Sequence, residues 1–313
     1  MKGSMATDQG LNALTSSSPL TPVPRSLSVW YHSATTMNDN EIITGQRASW
    51  SLIKKLAEGD AGEVYLVASL TSGQTGILKR PCRSAFAGDE SRQAAQIRAE
   101  GKILAALAAM PQEDPRLQVY VPAILDQSKP LNGFTGRDFL ILEQAPGFDL
   151  SFLARVAQLG LPDPASLPAG LSFAETAFLH GVANLRLVPT RVLLGILLRL
   201  VDFLQRVHLT PVTISDEECA GVVWNDVKTD HIFWDPRRAR LTLIDWGNAR
   251  PLEADGATKD RKCSWVDDFR QLFEEMGRYL ALVSPALPAR LGWPADFTAD
   301  SASSAVLERL KAN

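Results

Sequence analysis

The chain has 313 residues with a formal net charge of −3, and 45% of its residues are hydrophobic and 21% charged. This length is enough for two lobes with a substantial core, and the composition is typical of a globular protein. The small net charge gives no electrostatic argument for a nucleic-acid partner or an anionic membrane surface, so we expect neither. The three cysteines lack metal-ligand spacing, which indicates free thiols in a reducing, cytoplasmic compartment.

The first segment, residues 1–45, is polar and rich in Ser, Thr and Pro, and we expect it to be disordered. The longest apolar run lies at residues 192–201 and is too short and interrupted to span a bilayer. It continues with helical spacing to His208, which predicts a long buried helix and no membrane span.

Residues 50–56 alternate between apolar and polar side chains, as expected for a half-buried strand. Gly59 and Gly62 follow among apolar and β-branched residues, a pattern that suits a strand, a turn and a second strand lying close to a ligand. Another strand at residues 75–80 carries Lys79 near its end. Residues 90–110 are rich in good helix formers and include Glu100.

Residues 138–142 indicate a buried strand, and Pro146-Gly147 indicate a turn after it. Residues 151–190 then form a long insertion. Two stretches of this insertion, residues 161–164 and 167–170, contain Pro and Gly and are expected to be loops that could shape a substrate site at a cleft mouth.

Two aspartates, Asp226 and Asp245, stand nineteen positions apart. Residues 232–235 and 240–243 between them predict a β-hairpin with a turn at Asp235-Pro236. Such a hairpin would hold both carboxylates on one side of a cleft. Phosphoryl transfer needs one carboxylate to orient the attacking hydroxyl and another oxygen ligand for the metal on the phosphates. The spacing therefore favours a phosphoryl-transfer site over a surface hairpin that carries acids by accident.

These motifs, taken in order from residue 50 to residue 279, resemble those of the protein-kinase-like superfamily. The resemblance implies an α+β, bilobal protein-kinase-like fold. Its small β-rich N-lobe, with one C-helix, and the hinge would together occupy residues 46–145. Its mainly helical, shortened C-lobe would occupy residues 146–313, with the insertion near 151–190.

The resemblance also implies roles for individual residues. Asp226 and Lys228 would be the catalytic residues, and Asp245 and His231 would hold the metal. The remaining positions would bind ATP. Gly59, Gly62 and Val64 would belong to the glycine-rich loop, and Lys79 and Glu100 would form the lysine–glutamate pair. Leu142 would be the gatekeeper, the backbones of Glu143 and Ala145 would contact ATP at the hinge, and Asp149 would contact the ribose.

Several positions depart from the pattern of the superfamily. Ala57 replaces the first glycine, Asn225 replaces the arginine before the catalytic Asp, and His231 replaces a metal-binding Asn. An imidazole suits Mn²⁺ better than Mg²⁺, so His231 would bind metal with that preference or be structural. Trp246 gives an Asp-Trp-Gly motif, which is similar to that of the aminoglycoside and choline kinases.

The predicted activation segment is short, with 21 residues between Asp245 and Asp267 and no Ala-Pro-Glu-like sequence. A helix near residue 265 then carries Asp267 and Asp268, either of which would brace the catalytic loop. The sequence leaves both candidates open.

Together, these motifs predict a divergent, bacterial-type Ser/Thr kinase-like enzyme with features of small-molecule phosphotransferases. It would use ATP with Mg²⁺ or Mn²⁺ and phosphorylate a hydroxyl acceptor, with a protein Ser or Thr preferred over a small molecule. The alternatives are a pseudokinase that binds nucleotide or acts as a scaffold, suggested by Ala57, Asn225 and His231, and a small-molecule phosphotransferase.

Overall fold

The computed structural model describes residues 41–82, 87–110, 119–128, 138–164, 167 and 170–293. Residues 1–40 of the predicted disordered segment lie outside these ranges. The last part of that segment is a correction, because strand β1 (Ile42–Thr44) pairs with the strand that follows it. The backbone N–H of Gln46 donates to the buried carboxylate of Asp126, so the folded region begins before residue 46.

The first lobe is a six-stranded antiparallel sheet in the order β1-β2-β3-β4-β7-β6. After β1, its strands are β2 (Ser49–Gly59), β3 (Gly62–Ser69), β4 (Thr75–Arg80), β6 (Ile124–Gln127) and β7 (Leu140–Leu142). The strands predicted at residues 50–56, 75–80 and 138–142 correspond to β2, β4 and β7. Alternate residues of this sheet, with Trp50 and Tyr65 among them, enclose a small hydrophobic core.

One carboxylate holds the start of this sheet together. Asp126, on β6, accepts hydrogen bonds from the backbone N–H groups of Gln46, Arg47 and Ala48 and from the indole of Trp50. A side chain at Gly45 would collide with this carboxylate, so the approach depends on a glycine there. Such bonds satisfy a buried charge that would otherwise be costly.

Helix α1 (Ala87–Ala108) packs against the first-lobe sheet and corresponds to the predicted C-helix. Its buried residues Ile97, Ile103 and Leu104 belong to the main hydrophobic core. Among the described residues, it is the one helix of this lobe.

The second lobe is mainly helical. Its helices are α2 (Leu150–Leu159), α3 (Phe173–Leu185), α4 (Thr190–Leu209), α5 (Trp265–Val283) and α6 (Ala286–Leu291). The buried helix predicted from residues 192–208 is confirmed as α4. No helix in the described ranges has the length and apolar character needed to cross a membrane.

Helices α2 and α3 occupy much of the predicted insertion near residues 151–190 and pack together. Each helix has a strong N-terminal cap. Asp149 accepts the N–H of Phe152, and Ser172 and Glu175 form a capping box. The predicted loop character holds for the described residues between the two helices.

Short strands connect the second lobe to the first. β5 (Val119–Tyr120), β8 (Phe148–Asp149), β12 (Ile232–Asp235) and β13 (Arg240–Leu243) form a sheet in the order β5-β13-β12-β8. Two antiparallel pairs complete the lobe: β9 (Val212–Ile214) with β10 (Glu217–Cys219), and β11 (Gly221–Val223) with β14 (Arg250–Leu252). A β-rich lobe followed by a mainly helical lobe confirms the predicted α+β fold.

Candidate active site

The β12–β13 hairpin brings the two aspartates of the sequence analysis together. β12 follows a single 3₁₀ turn (Thr229–His231), and Ile232 pairs with Leu243 across the hairpin. Asp226, His231 and Asp245 each offer an oxygen or nitrogen ligand atom, and these atoms all lie within 4.8 Å of one another. The predicted hairpin is therefore present, and it assembles one compact cluster at the lobe boundary.

Lys79 lies between two carboxylates from distant parts of the chain. Its Nζ is 2.7 Å from Glu100 Oε1 on α1 and 2.9 Å from Asp245 Oδ1 after β13. Burial opposes the charge of the ammonium, but Asp245 and Glu100 together raise the pKa of Lys79 well above its usual value. The ammonium group therefore stays charged and ties the two lobes together.

The same arrangement keeps Asp245 ionised. Burial alone would raise the pKa of this carboxyl, but the charge of Lys79 and its hydrogen bond hold the pKa well below its usual range. Burial and the nearby charge of Asp245 instead raise the pKa of Glu100. Asp245 is thus the carboxylate best suited to remain an anion that faces the cleft.

Two stacked tryptophans lie beneath this cluster. Trp246 is fully buried, and its backbone N–H donates to Glu100 Oε1 at 3.2 Å. The ring of Trp246 stacks on Trp224 at 5.3 Å between centroids, and the Trp224 indole donates to the carbonyl of Asp245 at 3.1 Å. The pair fixes the backbone on both sides of Asp245 and explains why a ring larger than Phe fits at position 246.

Asp226 has a different set of partners for each oxygen. Lys228 Nζ lies 2.5 Å from its Oδ1, and Asn248 Nδ2 donates to its Oδ2 at 3.2 Å. The side chain of Asp226 is largely buried, whereas that of Lys228 is half exposed. Burial opposes the charge of Lys228, but Asp226 raises its pKa, so this lysine is a cation at the cleft surface.

His231 is buried directly beside both aspartates. Its Nδ1 is 3.0 Å from the backbone carbonyl of Asp226, and its Nε2 is 3.4 Å from Asp245 Oδ2. A carbonyl can only accept, so Nδ1 carries the proton, and Nε2 faces the carboxylates of Asp245 and Asp230.

Asp268, rather than Asp267, braces the loop that carries Asp226. Its fully buried carboxylate accepts the backbone N–H groups of Trp224 at 2.7 Å and Asn225 at 2.6 Å, and it lies 2.8 Å from His208 Nε2. Asp267 instead forms the capping box of α5 with Ser264. The choice left open by the sequence is thereby settled.

Asn225 has a left-handed backbone conformation, with a φ of 58°. Asn tolerates this region better than most residues. Gln271 Nε2 donates to the side-chain oxygen of Asn225 at 3.4 Å, and Gln271 Oε1 accepts the N–H of Val227. The position that holds an arginine in the resembled superfamily thus serves loop geometry in this chain.

The predicted glycine-rich loop is a tight hairpin between β2 and β3. Gly59 pairs with Gly62, and Ala57 pairs with Val64, which in turn lies opposite Lys79 on β4. Gly62 has a φ of 118°, and a side chain there would collide with the carbonyl of Arg80. Its glycine is required by the turn itself, while Gly59 has open space around it.

The predicted hinge follows β7. Leu142 is buried at the end of this strand, and the N–H of Glu143 donates to the carbonyl of Ala123. Ala145 is half-buried in the segment that leads to the second lobe. Leu142, Glu143 and Ala145 therefore lie where the two lobes join.

The structure corrects the ribose contact predicted for Asp149. This residue is 1% exposed and caps α2 through Phe152 and Ser151, at 2.7 and 2.6 Å from its Oδ1. Burial raises the pKa of this carboxyl despite those bonds. Because the carboxylate is enclosed and used by its own helix, we assign it a capping role in place of the predicted ribose contact.

The segment after Asp245 folds back on itself. β14 pairs with β11, and isolated bridges join Leu252 to Thr258 and Ala257 to Ser264 before α5 begins. The short activation segment predicted from the sequence is therefore a compact turn that leads directly to the bracing helix.

Sequence reasoning missed Trp224, Asn248 and Gln271 as members of this site. Trp224 directly precedes Asn225, and Asn248 directly follows the Asp-Trp-Gly motif, so adjacency to a motif was the available signal. Gln271 lies one turn after Asp268 on α5 and carried no signal in the sequence.

The bracing role of Asp268 predicts a large difference between two adjacent aspartates. Asp268→Ala should lower the free energy of unfolding by about 3 kcal/mol, because buried backbone donors lose their charged acceptor. Asp267→Ala removes a helix cap and should cost about 1 kcal/mol. Urea denaturation followed by circular dichroism measures both, and equal losses would contradict the assignment.

No protein-family model and no curated protein matches the sequence. The chain is similar to the solved structure of vaccinia related kinase 3, with 16% identity over 90% of this chain and 77% of that chain and a TM-score of 0.44. It is also similar to the PknI kinase domain of Mycobacterium tuberculosis, solved as a double mutant. There the identity is 16% over 86% of this chain and 96% of that chain, with a TM-score of 0.48.

A third similar structure is the BubR1 kinase domain, with 15% identity over 79% of this chain and 65% of that chain and a TM-score of 0.45. The fold itself is defined by the elements already described. A six-stranded antiparallel sheet with helix α1 is joined to a helical lobe, and the β12–β13 hairpin assembles the aspartate cluster between them. The chain therefore has the α+β, bilobal architecture that the sequence predicts.

Proposed function

We propose that this protein is an ATP-dependent kinase that transfers a phosphoryl group to a hydroxyl acceptor. The observation that supports this function best is the ion pairing of Lys79 with both Glu100 and Asp245. Burial of an ammonium group costs desolvation energy, and here contacts with two carboxylates offset that cost. In a kinase, this pairing readies the lysine for the phosphates of ATP.

The nucleotide would bind at the lobe boundary. The hairpin around Gly59 and Gly62 would cover the phosphates, and Val64 would contact the adenine. The N–H of Glu143 is already used by Ala123, so we assign its carbonyl oxygen and the backbone of Ala145 to the adenine edge. Leu142 would limit the depth of the pocket.

The residues around Asp245 fit a divalent cation. His231 donates from Nδ1 to a backbone carbonyl, an arrangement that commonly orients a metal-binding imidazole. Its Nε2 then faces Asp245, an anion across the whole ordinary pH range. A nitrogen and carboxylate donor set suits Mn²⁺ better than Mg²⁺. A cation held by Asp245 and His231 would neutralise charge on the phosphates.

Asp226 would orient the acceptor hydroxyl and accept its proton. Its carboxylate is held by Lys228 on one oxygen and Asn248 on the other, and each oxygen has a second lone pair for the hydroxyl. Lys228, a cation at the surface of the cleft, would contact the phosphoryl group in transit.

Two acceptor classes have support. The pairing of Lys228 with Asp226 resembles the Ser/Thr protein kinase pattern, and we place a protein Ser or Thr first. The compact segment after Asp245, with its internal bridges, favours a small-molecule hydroxyl as the second candidate, because a short segment offers little surface for docking a peptide.

Asp226→Asn tests the proposed function directly. Phosphoryl transfer should fall by about 100-fold or more, because the proton acceptor is lost, while ATP affinity stays close to that of the wild type. The measurement is transfer of labelled γ-phosphate to the chain itself, to Ser/Thr peptides, to small-molecule alcohols and to water, with nucleotide binding measured by calorimetry.

The matched control is Asp216→Asn, an exposed aspartate in the β9–β10 turn with no part in the site. It should transfer phosphate at the wild-type rate. Turnover that survives in Asp226→Asn removes this residue from the mechanism. Tight ATP binding by a wild-type chain that never transfers phosphate would replace the proposal with a pseudokinase.

His231→Asn tests the metal preference. An amide oxygen suits Mg²⁺ better than an imidazole nitrogen, so the ratio of Mg²⁺-supported to Mn²⁺-supported transfer should rise by about tenfold. Mn²⁺ affinity, followed by electron paramagnetic resonance, should fall in the same variant. His180→Asn, at an exposed position on α3, is the control. An unchanged ratio and Mn²⁺ affinity would assign His231 a structural role.

A further inference from the structure

Asn248 connects the catalytic loop to helix α1 through a single amide. Its Nδ2 donates to Asp226 Oδ2 at 3.2 Å, and its Oδ1 accepts from Gln96 Nε2 at 3.0 Å. The three residues come from three elements: the segment after Asp-Trp-Gly, the catalytic loop and α1. Nothing in the mechanism above explains why Gln96 takes part.

The role of Gln96 follows from the chemistry of the amide. A carboxylate can only accept, so Asn248 must turn its NH₂ group toward Asp226. Gln96 donates to the oxygen at the other end and so holds this orientation. A side chain at Gly247 would lie 3.3 Å from Gln96 Nε2, closer than most contacts, so the glycine leaves room for the bond.

The two donors on Asp226 act from different sides. Lys228 holds Oδ1 and Asn248 holds Oδ2, so rotation of the carboxylate about its bond to Cβ breaks at least one contact. A carboxylate that is held in one plane presents its remaining lone pairs in a fixed direction. Orientation of this kind lowers the barrier for a reaction between bound groups.

Helix α1 supports both halves of the reaction. Gln96 and Glu100 are four positions apart and so lie on the same face of the helix. Glu100 pairs with Lys79 and accepts the N–H of Trp246, while Gln96 reaches the catalytic loop through Asn248. One helix face is therefore linked to the predicted phosphate lysine and to the predicted proton acceptor.

We propose that Asn248 is a positioning residue that orients the Asp226 carboxylate, and that Gln96 holds it in place from helix α1. The proposal rests on the proposed kinase function and assigns a further role within that same site. It predicts that the position of α1 sets the geometry of the catalytic carboxylate together with that of Lys79.

The test uses the full chain and compares kcat and KM for ATP. Asn248→Ala should lower kcat by about 10-fold to 100-fold, the range seen when a supporting hydrogen bond is lost, with KM for ATP within about twofold of the wild type. Asn248→Asp keeps the shape but replaces the N–H donor with a carboxylate oxygen that repels Asp226, so it should be at least as impaired. Gln96→Ala should lower kcat by a smaller factor.

The double variant separates positioning from unrelated damage. Gln96→Ala should add little to Asn248→Ala, because residues that act through one contact are not additive. The controls are Asn184→Ala on α3 and Arg92→Ala on α1, two exposed positions outside the site. All variants should unfold at temperatures close to that of the wild type.

The outcomes distinguish this proposal from the function on which it rests. A wild-type chain whose transfer depends on Asp226, together with unchanged kcat in Asn248→Asp and Asn248→Ala, overturns the positioning role alone. Full multiplicative loss in the double variant overturns the link through Gln96. If the wild-type chain transfers no phosphate, both proposals fall together. If Asn248→Ala does not fold, Asn248→Asp and Gln96→Ala decide the question.

Discussion

The buried ammonium of Lys79 is the constraint on which the rest of the site depends. It draws together β4, helix α1 and the segment after β13, which are far apart in the sequence. Removing a charged group from water is expensive, and the carboxylates of Glu100 and Asp245 offset that cost for the ammonium. The lobes therefore have to meet with Glu100 and Asp245 both in reach. Trp224 and Trp246 stack beneath Asp245 and hold its backbone in place for this contact.

The same logic of satisfied buried groups extends outward from Lys79. Asp268 is fully buried, and it holds the loop before Asp226 by accepting the backbone N–H groups of Trp224 and Asn225. His231 keeps one nitrogen on a backbone carbonyl and turns the other toward Asp245. The acidic and basic groups of the site are thus oriented before any substrate enters, which is the requirement for electrostatic catalysis of phosphoryl transfer.

Much of this could be predicted from the sequence because it follows local patterns. The β12–β13 hairpin, α4, the glycine turn and the order of the motifs leave short, periodic signals. The contacts that could not be predicted depend on packing between distant elements. Asp267 and Asp268 are neighbours in sequence, and only the direction in which α5 faces the loop separates them. The ribose contact predicted for Asp149 was wrong for the same reason, because the burial of this residue depends on the pairing of β8 with β12.

We expect nucleotide binding to depend on Lys79, and calorimetric titration of ATP with Mn²⁺ into the wild type and Lys79→Met tests this dependence most directly. We expect saturable binding to the wild type and an affinity at least tenfold lower in Lys79→Met, because the phosphates lose their buried cation. Lys54→Met, on β2 outside the cluster, should bind like the wild type. Equal ATP affinity in Lys79→Met and the wild type, or no binding to either, would contradict the role of Lys79 in binding ATP.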